Sequence, residues 1–181
     1  MERLFGTDGV RGIANADLSC ELAMQIGAAG AYVLTSEVHN PRILVGMDTR
    51  RSGDMLACAL SAGICSVGGD VLNVGVIPTP AMAYLVRQYE ADAAVMISAS
   101  HNTMEYNGIK WFDGDGFKLS DALEDEIERL ICERAELPHP TGVGVGHMIE
   151  ARRAADEYKA FLCGTAKTRF DGMRIALDCA N

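Results

Sequence analysis

Apolar residues recur along the chain with two different periods, and the alternation of those periods predicts the architecture. Leu22, Ile26, Ala29 and Val33 fall at helical spacing behind Asp17 or Ser19 as a cap, with Glu21 in the first turn, which predicts a helix. Residues 42–46, Arg-Ile-Leu-Val-Gly, form a short strand-like run. A second helical pattern, Leu56, Leu60, Ile64 and Val67, starts after Ser52 and stops at Gly68 and Gly69. The same alternation continues with a strand over 71–74, a helix marked by Met82, Leu85, Val86 and Tyr89 behind Pro80, and a fully apolar strand over 93–97. Strands that alternate with helices predict an α/β fold, with a mixed, largely parallel sheet flanked by helices.

Beyond residue 97 the pattern changes. A polar loop over 98–108 leads to two short runs, 109–112 and 117–119, around Asp113-Gly114-Asp115-Gly116, which predicts a hairpin. Ser120 caps a helix with Leu123, Ile127, Leu130 and Ile131 on one face, and residues 137–147, rich in Pro, Gly and Thr, read as a linker. A first domain is therefore expected over 1–147. Residues 148–181 are expected to open a second, similar domain with a helix near 151–162 and a strand over 174–178, a unit that the chain cuts short.

Composition narrows the function classes. Apolar residues make up 49% and charged residues 23% of the 181, so a packed core is expected and wholesale disorder is not. Sixteen Lys and Arg against 25 Asp and Glu give a net charge of −9, which repels nucleic acid and requires any anionic ligand to be held by a local constellation. The longest uncharged stretches, 22–36, 55–69 and 71–86, are too short and too interrupted by Gly, Ser, Gln or Pro for a membrane span. The amino terminus has no secretory pattern, so a cytoplasmic setting is expected. Six cysteines, Cys20, Cys58, Cys65, Cys132, Cys163 and Cys179, form no C-x-x-C pair, which favours buried, reduced thiols.

Three segments carry candidate chemistry at the strand ends, where ligands collect in open α/β sheets. Residues 5–12, Phe-Gly-Thr-Asp-Gly-Val-Arg-Gly, read as a glycine-rich loop that presents the planar fork of Arg11 to phosphate. Residues 46–52 place Asp48, Arg50 and Arg51 at a helix start, where an anion is favoured, although Asp48 equally suits an ion pair with one arginine. Residues 97–102, Ile-Ser-Ala-Ser-His-Asn, put the Ser100 hydroxyl beside His101 and Asn102 at the end of a buried strand, an arrangement for a nucleophile or for an ordinary polar loop. No Gly-x-Ser-x-Gly surrounds Ser100, no Walker A sequence occurs, and Gly142-x-Gly144-x-Gly146 lacks a preceding strand, so hydrolase-elbow and nucleotide-loop readings are disfavoured.

These segments, with Ile77-x-Thr79-Pro80, Asn107-Gly-Ile-Lys110 and Gly116-x-Lys118-Leu-Ser-Asp121, resemble the α-D-phosphohexomutase family over nearly the whole chain. Within it, they look most like the branch that acts on hexosamine phosphates, with hexose-phosphate members as the alternative and a non-catalytic module as a further one. The resemblance implies a four-domain enzyme that interconverts 6- and 1-phosphates through a 1,6-bisphosphate, supplying amino-sugar and cell-wall precursors. It also admits a homodimer. Ser100 matches the phosphoserine position and would bind Mg²⁺ through its phosphate, while His101, Lys110 and Arg11 match positions around that group. Asp48, Arg50 and Asn102 would support the loop. The remaining Mg²⁺ ligands, the sugar loop and a distal phosphate loop belong to later domains. Thr103 stands where the family usually has proline, which frees the loop at Asn102 and Thr103.

Overall fold

The computed structural model describes residues 3–35 and 40–178. Six strands, β1 (Val10–Ile13), β2 (Arg42–Met47), β3 (Asp70–Val76), β4 (Ala93–Ile97), β5 (Tyr106–Asp113) and β6 (Met148–Glu150), form one sheet in the order β1-β5-β4-β2-β3-β6. The pairs β4–β2, β2–β3 and β3–β6 are parallel, whereas β5 runs antiparallel to both β4 and β1. This is the mixed, largely parallel α/β sheet expected from the pattern.

Both faces of the central strands are buried, which explains their unbroken apolar runs. Ile43, Val45, Val95 and Ile97 pack on one side with Leu56, Leu60, Ile26 and Ile127, from helices α1 (Cys20–Thr35), α2 (Gly53–Ser66) and α4 (Asp121–Cys132). Leu44, Ala94 and Met96 point the other way, onto Met82, Leu85, Ala154 and Tyr158 of α3 (Thr79–Gln88) and α5 (Ala154–Thr165). Two helices, α1 and α4, start on side-chain caps: Ser19 Oγ accepts from Leu22 N–H at 3.2 Å, and Ser120 Oγ from Leu123 N–H at 3.4 Å.

The structure departs from the sequence expectations in several places. Residues 10–13 are an edge strand, not part of a loop, because Val10 and Gly12 face inward against β5 while Arg11 and Ile13 stay out. Strand β5 starts three residues before the expected 109, paired from Tyr106 onward with β1. The expected hairpin reduces to a single bridge, Phe112 with Lys118; its turn is closed by Asp113 Oδ1, which accepts from the N–H groups of Asp115 and Phe117 at 3.0 and 2.9 Å. Residues 174–178 form no strand and lie exposed, with Ile175 and Leu177 unburied, since no neighbouring strand among the described residues pairs with them. The five described cysteines are free but none is buried. Cys58 lies two positions from both Leu56 and Leu60, which places it on the opposite side of α2 from the core stripe; Cys179 lies outside the described residues.

The sheet also runs on across the domain boundary expected at residue 147. Residues 137–147 cross the end of α2, where Gly146 N–H donates to Cys65 O at 2.9 Å, and β6 then adds to β3. Tyr158 and Phe161 of α5 pack with Tyr84 of α3, the Tyr84–Phe161 rings stacked 4.0 Å apart. No helix among the described residues is long and apolar enough to cross a membrane.

Candidate active site

The carboxyl ends of β2 and β4 and the start of β5 lie at one edge of the sheet, and the segments that leave them build the site. Asp48 follows β2, and its backbone N–H donates to Ile97 O of β4 at 3.0 Å, so the two strand ends are tied before their loops diverge. Ser98 then bridges them: its hydroxyl donates to Asp48 Oδ2 at 2.7 Å and accepts from Ser100 N–H at 3.0 Å. Held in this way, Ser100 adopts φ +55, a left-handed conformation that a non-glycine residue keeps only when its surroundings impose it. The result is a seryl oxygen presented beyond the end of a buried strand.

Arg50 fixes the rest of the loop. Its Nε donates to Asp48 Oδ2 at 2.9 Å, its Nη1 to the carbonyls of Thr103 and Tyr106 at 2.6 and 3.1 Å, and its Nη2 to those of Ser100 and Asn102 at 2.9 and 2.8 Å. All five guanidinium donors are therefore engaged, and the side chain is only 9% exposed. Arg50 is a clamp on the serine loop, with no guanidinium N–H left over for an anion. The loop freedom expected from Thr103 is offset at that same carbonyl. The Thr103 hydroxyl also donates to Glu105, and this bond, with one from the Glu105 backbone, holds the Glu105 carboxyl below its ordinary range.

A clamp of this kind carries its own expectation. In Arg50→Met, four loop carbonyls lose their guanidinium partner and Asp48 keeps only its bonds from Ser98 Oγ and the residue-50 N–H, which is expected to cost about 2–4 kcal/mol of stability. Amide exchange across residues 98–106 should accelerate. Arg50→Lys should recover little of either, because an ammonium group cannot reach both pairs of carbonyls. Unchanged exchange in Arg50→Met would show that the loop holds itself.

Ser100, Ser98, Met96, Lys110, Arg11, Asp8 and Thr79 line a cleft of about 230 Å³. Strand register explains the meeting. Lys110 of β5 lies opposite Met96 of β4, and Arg11 of β1 lies opposite Gly108 of β5, so one cation comes from the strand next to β4 and the other from the strand beyond it. Gly108 is required there, since a Cβ would stand 2.7 Å from Ser98 O and 3.0 Å from Arg11 Cγ. Gly9, at φ +79, turns the chain into β1 where a side chain would strike Ile109 O. Asp8 sits between the cations, 3.4 Å from Arg11 Nη2 and 3.5 Å from Lys110 Nζ.

The structure thus brings Ser100, Arg11 and Lys110 to one cleft. His101 stands outside its lining and is exposed, with Nδ1 3.3 Å from Ser100 Oγ. When Nδ1 is unprotonated it accepts from the seryl hydroxyl, and when protonated it donates to that oxygen. Asn102 contributes through its backbone, with N–H donating to Ala99 O at 3.0 Å and its carbonyl accepting from Arg50. Sequence reasoning gave no role to Ser98, Thr79 or Asp8. Only Ser98 carried a local signal, since a hydroxyl two residues before Ser100 points to the same side of an extended chain.

A larger, mostly apolar cavity of about 390 Å³ between α1 and α4, bounded by Ala29, Leu130 and Leu137, has no nucleophile or carboxylate in its lining, so size does not mark the chemistry. No group of three or more His, Cys, Asp or Glu among the described residues is arranged to hold a metal ion.

Residues 2–137 match the family described as phosphoglucomutase/phosphomannomutase, alpha/beta/alpha domain I. The chain is 59% identical over 180 residues to the phosphoglucosamine mutase of Thermoanaerobacter sp., covering 99% of this chain and 40% of that protein. It is 60% identical over 182 residues to the phosphoglucosamine mutase of Clostridium acetobutylicum, covering 100% and 41%. The chain therefore spans about 40% of the length of these curated relatives. Among solved structures, a phosphoglucomutase/phosphomannomutase family protein from Burkholderia thailandensis superposes with a TM-score of 0.76 at 24% identity. That match covers 91% of this chain and 36% of the other, and it shows the shared fold.

Proposed function

Because the chain belongs to the phosphoglucomutase/phosphomannomutase family through its alpha/beta/alpha domain I, we propose that it carries the phosphoryl-transfer serine of a mutase acting on hexosamine phosphates. The observation that carries this reading is Ser100, held at a left-handed φ on the end of β4 and sharing one cleft with Arg11 and Lys110. The substrate class follows the printed names of the most similar relatives, phosphoglucosamine mutases. The enzyme would interconvert glucosamine 6-phosphate and glucosamine 1-phosphate through the 1,6-bisphosphate, in a cytoplasmic setting.

The chemistry needs few actors. Free serine is a weak nucleophile, whereas a phosphoseryl group, with a charge of about −1.5 to −2 at neutral pH, is a ready donor once cations spread that charge. The bond from phosphorus to Ser100 Oγ breaks and one to a sugar hydroxyl oxygen forms. The hydroxyl proton leaves, and Ser100 Oγ takes one up when the serine is bare. Arg11 and Lys110 stabilise the transferring phosphoryl or assist proton transfer, and His101 orients the seryl oxygen or the sugar hydroxyl. The second transfer, from the other phosphate of the bisphosphate back to Ser100, reverses these bonds.

Mg²⁺ is expected to neutralise part of the phosphoryl charge. The described residues do not by themselves make a metal site, and Ser100 would contribute one ligand through its phosphate. In this reading residues 1–147 form the serine-bearing domain, 148–181 open a second one whose first strand and helix, β6 and α5, dock on β3 and α3 of the first, and the other ligands lie in further sequence.

The test is turnover by the full-length protein on the 6-phosphates of glucosamine, glucose and mannose, primed with the matching bisphosphate. The highest kcat/KM is expected for glucosamine 6-phosphate. A preference for glucose or mannose would move the protein to another branch, and no interconversion of any would overturn the reading. Residues 1–181 alone are expected to show no turnover beside it, because positioning groups for metal and sugar are absent from the cleft described.

A further inference from the structure

Asp8 is the one carboxylate among the residues that line the Ser100 cleft, and it is shared between both cations. Its two contacts, at 3.4 and 3.5 Å, are longer than the roughly 2.7–2.9 Å of a tight charge-assisted hydrogen bond, and its side chain is 52% exposed. Asp48 offers the contrast within the same site. It holds Arg50 at 2.9 Å and Ser98 at 2.7 Å, is 24% exposed, and serves structure.

Asp8 is also not what closes its own turn. Gly6 N–H donates to Gly9 O at 3.0 Å and Gly9 N–H to Gly6 O at 3.2 Å, so the backbone of 6–9 is closed without the carboxylate. What the carboxylate does instead is electrostatic. Arg11 and Lys110 converge on one cleft, and a carboxylate between them offsets their mutual repulsion.

Resting on the proposed reading of the cleft, we infer that Asp8 is a positioning residue, an internal stand-in for phosphate that keeps Arg11 and Lys110 aimed at the cleft and yields them when a phosphoryl group arrives. A monoanion on two long, half-exposed contacts is displaced by a group of nearly twice its charge with three acceptor oxygens. The exchange also weakens the grip on phosphate, because Asp8 competes for the same donors as the phosphoryl group leaves.

The sign of one substitution separates this role from a structural one. Full-length protein, treated with phosphatase so that Ser100 is bare, is labelled with ¹³C-methyl methionine and titrated with inorganic phosphate. The signal of Met96 is followed, because Met96 lines the cleft and reports that site whatever phosphate does elsewhere. In Asp8→Asn the amide oxygen still accepts from both side chains and keeps their aim, but the competing charge is gone, so the titration midpoint is expected to fall by about threefold to tenfold. Asp8→Glu, which keeps the charge, should titrate near wild type, and Arg11→Gln and Lys110→Gln should titrate at much higher phosphate. An unchanged or raised midpoint in Asp8→Asn, with the Arg11 and Lys110 variants behaving as expected, would overturn the role of Asp8 and leave the cationic cleft standing. A Met96 signal that does not respond to phosphate, or that responds equally in the Arg11 and Lys110 variants, would overturn both.

Discussion

Ser100→Ala in the full-length protein is expected to lose mutase turnover by a factor on the order of 10⁴ or more, with the fold intact. Ser100 Oγ is exposed, and its hydrogen-bond contact is with the exposed His101 ring, so its removal takes little from the packed structure. The bonds that shape the loop come from Ser100 backbone atoms, N–H to Ser98 and carbonyl to Arg50, and alanine keeps both. A melting temperature within a few degrees of wild type should therefore accompany the loss. Turnover close to wild type in Ser100→Ala would mean that the phosphoryl group travels by another residue.

Arg11→Gln and Lys110→Gln are each expected to lower kcat/KM by on the order of a hundredfold or more, which corresponds to a few kcal/mol of transition-state stabilisation. Their positions make this a charge effect. Both side chains are about 70% covered, which strengthens each interaction relative to bulk water. Lys110 also lies with Nζ 5.9 Å from the centre of the Phe112 ring, which restricts where the ammonium can go. Lys110→Arg should be costly as well, because a broad guanidinium does not occupy the point that a compact ammonium does. Steady-state kinetics on glucosamine 6-phosphate give the measure, and wild-type values in both variants would remove these residues from the chemistry.

How far the sequence reached depends on where each element draws its stability. The helices and the central strands β2, β3 and β4 are written in local apolar periodicity. The strand expected over 93–97 and the one observed coincide, because every residue in it is buried. Strands β1 and β6 were not legible in this way. The inward Gly12 hides the alternation of β1, and the three residues of β6 are all exposed, joined to β3 by backbone pairing and by one side-chain bond, from Asn73 Nδ2 to Glu150 Oε1 at 3.0 Å. The converse holds at residues 174–178, whose strand-like composition has no neighbour to pair with among the described residues.

The site divides along similar lines. Ser100, Arg11 and Lys110 are visible as motif residues that resemble a family pattern, and strand register brings them to one cleft. The work of Arg50 was only half legible. An arginine at a helix start reads equally as an anion receptor and as an ion-pair partner, and what decides is the path of residues 100–106, which wraps four carbonyls around one guanidinium. Asp8 was hidden in a glycine-rich segment whose side-chain partners come from β1 and β5.

Phosphopeptide mapping of the full-length protein isolated from cells locates the phosphoryl group. The phosphate is expected on Ser100, whose hydroxyl lines the cleft from a left-handed backbone position beside Arg11 and Lys110. Ser98 is occupied by its bonds to Asp48 and to Ser100 N–H. The expected result is an 80 Da addition, the mass of HPO₃ (roughly, by formula), on the peptide carrying residues 98–103 and localised to Ser100. Phosphate found reproducibly on Ser98 or Thr103, with Ser100 bare, would contradict it.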